Sequence, residues 1–212
     1  MKYKLLSIFM LIIMCASFAF GCKKDEEKSE NYAITINSVT ISTSEAKFYA
    51  YNKQANYEIY YLASGSPIHW DEVYDAEVSD MTLEELVKKE VLDEIKKVVI
   101  LSEYAKDEGI KLSEEDDELI EYSVNNYVSN SNKNLTDKTG KNKELLKTIY
   151  TRKMYIDKLY EKLEIADDSE KQEDLYNELL NDSMVDVNDE FWDTIEFNEC
   201  IFTEKDVEAY SE

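Results

Sequence analysis

One histidine, one arginine, one proline, four glycines and three cysteines are all this 212-residue chain holds of the residues that most often build reactive sites and sharp turns. A lone His69 leaves little material for metal sites or histidine-based catalysis. So little glycine and proline excludes collagen-like, glycine-looped and loop-rich β architectures. Positive charge is also scarce: 24 Lys+Arg stand against 47 Asp+Glu, for a formal charge of −23, and Arg152 is the only arginine. Such a chain repels phosphate backbones, so no nucleic-acid partner is expected. What is present is apolar and aromatic. A hydrophobic share of 43% with 12% aromatic, including 16 tyrosines, is too much for simple disorder. The length suits one ordinary domain with an appendage. The composition describes an acidic, helix-rich, tyrosine-rich protein with little catalytic equipment.

The first residues read as an address and an anchor. Lys2 and Lys4 precede an apolar run, Leu5 to Phe20, broken only by Ser7 and Ser17. Ala19-Phe20-Gly21-Cys22 is then followed at once by Lys23-Lys24-Asp25-Glu26-Glu27. A run this short, ending in a small residue, predicts a cleaved export signal rather than a membrane span. With a cysteine at the boundary, the segment resembles a bacterial lipoprotein signal, which implies that Cys22 is lipidated and becomes the first residue. The expected division is 1–21 signal, 22–31 polar tether, 32–165 helical domain, 166–203 returning helix and strand, and 204–212 acidic tail. Loss of residues 1–21 removes two lysines and no acid, which moves the charge from −23 to −25. Cys200 is then the only unmodified cysteine, so no internal disulfide is expected.

Tyr32 to Ile41 predicts a hairpin turning at Asn37-Ser38, on its β-branched content. Ser42 with Glu45, Thr82 with Glu85 and Ser113 with Asp116 are three capping boxes, each opening a helix. The first runs to about Ala63 with apolar residues on more than one face. The second runs to about Asp107 on a stripe of Val87, Val91, Ile95, Val98 and Val99, with Gly109 as its stop. The third carries Leu119, Ile120, Val124, Tyr127 and Val128. The Asn/Ser/Lys/Thr/Gly stretch 129–143 predicts a loop. A fourth helix spans about 143–163 on Leu145, Ile149, Ile156, Leu159, Tyr160 and Leu163, and a weaker fifth covers about 169–181. Met184 to Asn188 alternates like a strand, and Phe191, Trp192, Ile195 and Phe197 form a last apolar patch. The tail after Thr203 should fray. The fold expected is mainly α, with a small β element made where the first hairpin pairs with 184–197, because a lone hairpin is marginal.

Two segments carry a resemblance. Ile36-Asn37-Ser38-Val39-Thr40-Ile41-Ser42-Thr43-Ser44-Glu45 resembles the Val-Asn-Gly-x-x-Ile-Ser-x-x-Glu opening of SurA/PrsA-type extracytoplasmic foldases. Ala105, followed by Gly109-Ile110-Lys111-Leu112-Ser113-Glu114-Glu115, resembles the same family's helix-turn-helix. The similarity covers about residues 32–163 and the 184–198 return. It implies a SurA N-terminal-like helical domain, akin to the C-terminal domain of trigger factor, that binds unfolded or secreted polypeptides outside the cytoplasm. Many members carry a parvulin prolyl-isomerase domain between the helical domain and the return. Here that interval, roughly 164–183, holds no glycine and no histidine and has no room for one. The resemblance therefore implies a chaperone, with isomerase activity resting on family membership alone.

Several constellations compete for a role. His69, beside Trp70 and Asp71, lacks a nucleophile or second ligand in reach, and pairing with Cys200 has no third member. The acidic clusters at 114–118 and 186–190 lack the central glycine of a Ca²⁺ loop and suit solvated helix starts. No P-loop is present, and no catalytic residue, metal or cofactor is expected. Tyrosine offers broad apolar area with a polar tip, which suits adaptable binding. The two-sided spread of Tyr49, Tyr51, Tyr57, Tyr60 and Tyr61 on the first helix points to part of this group lining a client cleft. The reading is an exported, membrane-anchored, nucleotide-independent chaperone, its acidic field drawing basic clients. A surface lipoprotein acting as adhesin or complex subunit is the alternative, and a prolyl isomerase the second.

Overall fold

The computed structural model describes residues 31–74, 80–203 and 206. The segment expected to be a lipoprotein signal, with Cys22, most of the expected tether and nearly all of the acidic tail, lies outside them. Among the described residues the protein is mainly helical, with seven helices and one three-stranded antiparallel sheet.

The chain opens with β1 (Tyr32–Ile36) and β2 (Val39–Ser42), joined at Asn37-Ser38. Asn37 takes φ 53, the left-handed turn conformation that asparagine tolerates. Its side chain has a second task. Asn37 Oδ1 accepts from the Met184 amide at 2.8 Å, and the Asn37 amide donates to the Met184 carbonyl at 2.8 Å. The turn thus seats the start of β3 (Val185–Val187), which pairs antiparallel with β1, giving strand order β2-β1-β3. The expected pairing of the two ends holds for these three residues. Beyond them the return is a four-residue helix, α7 (Asp189–Trp192), and then irregular chain. It is fastened to β1 by side chains: Asn188 Nδ2 donates to the Tyr32 carbonyl at 2.8 Å, and Trp192 Nε1 to the Ala33 carbonyl at 3.1 Å.

β2 runs directly into α1 (Thr43–Ala63), capped by Ser42, whose hydroxyl accepts from the Glu45 amide at 3.2 Å. The capping box expected here is only half made. The Glu45 carboxylate turns away to Arg152, and the pair is buried, with 6% and 12% of the side chains exposed. The boxes at Thr82/Glu85 and Ser113/Asp116 are complete, and open α2 (Leu83–Asp107) and α3 (Glu114–Asn130). Asp116 also reaches Lys158 at 3.1 Å. Gly109, at φ 75, ends α2 as expected.

Residues 129–143 are not all loop. Lys133–Thr139 form α4, capped by Asn132 and closed by Gly140. The hydroxyls of Thr136 and Thr139 bond back to the carbonyls of Lys133 and Leu135, and Leu135 is buried in the core. Seven polar-rich residues show no apolar period, so local propensity pointed to a loop and packing against α1 overrode it. The chain continues with α5 (Lys143–Lys162) and α6 (Ser169–Asn181).

α2 is the central helix, packed against α1, α5, α6 and β1. Its expected stripe is buried from Val87 through Val99. α5 supplies Leu146, Ile149, Ile156 and Leu159, and α3 supplies Ile120, Val124 and Tyr127. Leu119 and Leu163, expected in these stripes, face solvent, because each lies one helical step outside the contact with the neighbouring helix. Lys97 fastens α6 to α2, pairing with Glu173 at 2.7 Å and lying 5.5 Å from the Tyr176 ring centroid.

The Glu45–Arg152 pair yields a test of this packing. Arg152→Ala strands a buried carboxylate and should cost about 3–5 kcal/mol in urea unfolding. Glu45→Gln combined with Arg152→Met removes both charges and should recover most of that loss.

Candidate functional site

The five tyrosines singled out on α1 separate into three environments. Tyr49 and Tyr51 are core residues, so they are not the part of the group that presents an open surface. The Tyr49 ring meets Phe48 edge-on at 5.7 Å, and burial holds its hydroxyl well above the usual tyrosine range. The Tyr51 ring packs 6.4 Å from Phe197, with Lys138 Nζ 4.9 Å from its centroid. The cause is position: both lie in the first half of α1, on faces covered by the sheet, neighbouring helices or the returning chain. Tyr57 is half-buried. Its hydroxyl donates to both Glu90 carboxylate oxygens at 3.0 Å, and its ring stacks at a tilt 6.2 Å from Trp70, which in turn meets Phe197 at 4.9 Å.

Tyr60 and Tyr61 differ, because α1 outruns its neighbours at its last turn. Tyr60 is 71% exposed and meets the half-buried Tyr61 edge-on at 5.8 Å. The chain after α1 folds back so that Tyr61, Pro67, Val73 and Tyr74 line a recess of about 140 Å³ with His69, Glu72 and Leu83. Tyr74 is 56% exposed and Val73 48%. The result is an exposed aromatic shelf at the C-terminal end of α1 and the loop after it.

A second concavity runs along the other side of α1. A groove of about 310 Å³ lies between Ala55 and Ile59 of α1, Leu135 of α4 and Phe202 of the returning chain. Carboxamides form its rim, from Asn52, Asn56, Asn130 and Asn132. A carboxamide carries a donor and an acceptor, like a peptide unit.

Beside this groove a buried carboxylate holds the return in place. Glu58 is 1% exposed. Its Oε2 accepts from the amides of Ile201 and Phe202 at 2.8 Å each, and its Oε1 from Gln54 Nε2 at 2.7 Å. Burial pushes the Glu58 carboxyl up, and these hydrogen bonds with the distant Lys138 charge only partly offset it. Burial likewise raises Glu45 against the opposing pull of Arg152. None of this arrangement was named from sequence. Its one readable sign is a Gln54/Glu58 pair, four residues apart, interrupting the apolar surface of α1.

The remaining candidates sit apart. His69 is exposed, its Nδ1 3.9 Å from Glu72, and among the described residues no hydrogen bond joins it to Cys200. The Cys200 thiol is pushed up by partial burial and by Glu58, away from the thiolate form a nucleophile needs. The acidic start of α3 serves helix capping and the Lys158 pair, and no cluster of three or more His, Cys, Asp or Glu able to hold a metal occurs among the described residues. No described helix is long and apolar enough to cross a membrane. No protein-family model, curated protein or solved structure matches this chain.

Glu45 and Glu58 set a pH response. A carboxyl raised in the folded state contributes stability that is full below its unfolded value, near 4.5, and is lost as pH rises through the folded value. Glu85 and Asp116, lowered by the capping amides and hydroxyls of Thr82 and Ser113, act oppositely, losing their contribution only as pH falls through their own depressed values. The midpoint of thermal unfolding should therefore be higher at pH 5 than at pH 7.5. Glu58→Gln, uncharged throughout, should narrow that difference, as read by circular dichroism melts.

Proposed function

We propose that this protein is an extracytoplasmic chaperone of SurA/PrsA type, anchored to a membrane by lipid on Cys22, that binds unfolded or secreted polypeptides without nucleotide. The observation that carries the reading is the exposed aromatic shelf of Tyr60, Tyr61, Val73 and Tyr74 on a strongly acidic helical body. Unfolded chains present apolar side chains and free backbone groups. Ring faces with hydroxyl tips accept both with little demand on sequence. A contiguous apolar surface of this kind marks an interaction site rather than idle surface. The acidic field favours basic clients and keeps the loaded protein soluble.

The order of elements also supports the family reading. A capped hairpin leads into α1, a long α2 ends at Gly109, and a short turn leads into a capped acidic helix. Between α5 and the returning strand stands only the 13-residue α6, where isomerase-bearing members carry a domain. Chain binding without catalysed proline isomerisation follows.

The protein should suppress aggregation of a reduced, unfolded model protein at near-stoichiometric ratio. The triple variant Tyr60→Ser, Tyr61→Ser and Tyr74→Ser should lose most of that suppression while its melting temperature moves by only a few degrees, because these side chains carry little of the core. Absence of suppression across several clients would overturn the reading. In a bacterial host, a fatty-acid analogue should label the wild-type chain, and Cys22→Ser should abolish both the label and recovery in the membrane fraction.

A further inference from the structure

The chain after α7 is held in an unusual way for a core segment. Residues 196–203 form no helix or strand, yet Phe197, Ile201 and Phe202 are buried, while Glu196, Asn198, Glu199 and Cys200 between them point outward. Their backbone is gripped by side chains from three helices. Glu84 of α2 accepts from the Phe197 amide at 3.0 Å. Gln54 of α1 donates to the Glu199 carbonyl at 2.9 Å, and Glu58 accepts from the Ile201 and Phe202 amides. Asn134 of α4 donates to the Ile201 carbonyl at 3.1 Å. Backbone clasped by side chains, with spaced apolar residues seated in recesses, is how a protein takes an extended peptide whose own pairing it cannot supply.

Placing a carboxylate as buried as Glu58 with no cation in hydrogen-bond reach is unfavourable for simple packing, where an apolar residue would serve better. Two amide donors from an incoming chain are what such a group accepts well. The 310 Å³ groove continues from the end of this segment, with Phe202 as one wall and Ile59 and Leu135 as others. It offers an open foothold contiguous with the occupied track.

We propose that the face formed by α1, α2 and α4 is a binding site for an extended apolar peptide, with an aromatic residue followed four and five positions later by an aliphatic and an aromatic residue, and that residues 196–203 occupy it in cis. A client segment of that chemistry enters at the groove and exchanges with the chain's own segment. This rests on the chaperone reading and adds a second, gated client site to the aromatic shelf. Because the cis segment is tethered, its effective concentration is on the order of a millimolar, so only concentrated or multiply engaged client segments displace it.

The test uses the full chain with Cys15→Ser and Cys22→Ser, leaving Cys200 as the sole thiol for a nitroxide spin label. The probe is a synthetic peptide of residues 194–203 carrying Cys200→Ser. The label, outward-facing on a clasped backbone, should start with restricted motion, and peptide should convert it saturably to a freer spectrum, half-complete at about a millimolar. Ile201→Ala in the chain, with the peptide unchanged, should lower that half-point at least about tenfold, because it loosens the tethered segment alone. If that variant fails to fold, Ile201→Val in the chain alone provides the same comparison in the same direction with a smaller shift. A peptide with serine at 197, 201 and 202 should leave the spectrum unchanged. A spectrum unchanged at saturating peptide would overturn the proposal. Aggregation suppression measured on the same preparation separates the two readings. Suppression with an unchanged spectrum overturns the exchange and leaves chaperoning intact. Mobilisation without suppression supports the peptide site and overturns the chaperone reading.

Discussion

The structure depends on β1 having a partner on both edges. β2 follows it through a two-residue turn, but β3 arrives from the far end of the chain, with the Asn37 side chain and backbone both bonded to Met184. A two-stranded hairpin alone is marginal in water. The third strand closes the chain on itself and delivers Trp192, Ile195 and Phe197 to the core. No disulfide contributes to this closure among the described residues, where Cys200 is free. A few ladder bonds, two side-chain bonds to the β1 carbonyls and apolar burial hold the ends together.

Once the return is anchored there, its course along α1 follows. α1 cannot bury a single stripe, because sheet, α2, α4 and the returning chain contact it from different sides. Its polar residues must then be satisfied by specific partners rather than by water. Glu45 finds the only arginine in the chain, and Glu58 finds two backbone amides and Gln54. An acidic protein has many carboxylates to place, and a group of them lies at helix starts, where the macrodipole favours them. Of the three buried carboxylates among the described residues, Asp116 stays in its cap with Ser113 and Lys158, while Glu45 and Glu58 lie where the chain meets itself and are raised by burial. Exposed aromatic surface lies where α1 outruns its neighbours, at Tyr60 beside the half-buried Tyr61, where the following loop folds back with Tyr74, and separately at Tyr122 of α3.

Helices with long apolar periods were legible in the sequence. The α2 stripe of Val87, Val91, Ile95, Val98 and Val99, its Thr82/Glu85 cap and its Gly109 stop were all visible as pattern. α4 was not, because its stability comes from Asn132, two threonine back-bonds and one buried leucine against α1. The tyrosines of α1 were visible as a group, and their division into buried Tyr49 and Tyr51, half-buried Tyr57 and Tyr61 and exposed Tyr60 was not. On one helix face the same residue type is core or surface according to what crosses it. The side chains that grip residues 197–202 gave even less signal, since Glu84, Gln54, Glu58 and Asn134 are spread over three helices and converge only in space.

The sequence by itself determined the acidic character, the helical class, the capped starts of three helices and the closing of the two ends through short strands. These follow from composition, from a 3.6-residue period and from cap residues, all of which act within a few residues of chain. Tertiary structure alone decided which tyrosines face solvent, that Glu45 leaves its cap for Arg152, and that Glu58 is spent on the backbone of residues 201 and 202. The two glutamates depend on partners more than a hundred residues away and the tyrosines on elements that cross α1 from elsewhere in the chain, and local pattern carries no record of either.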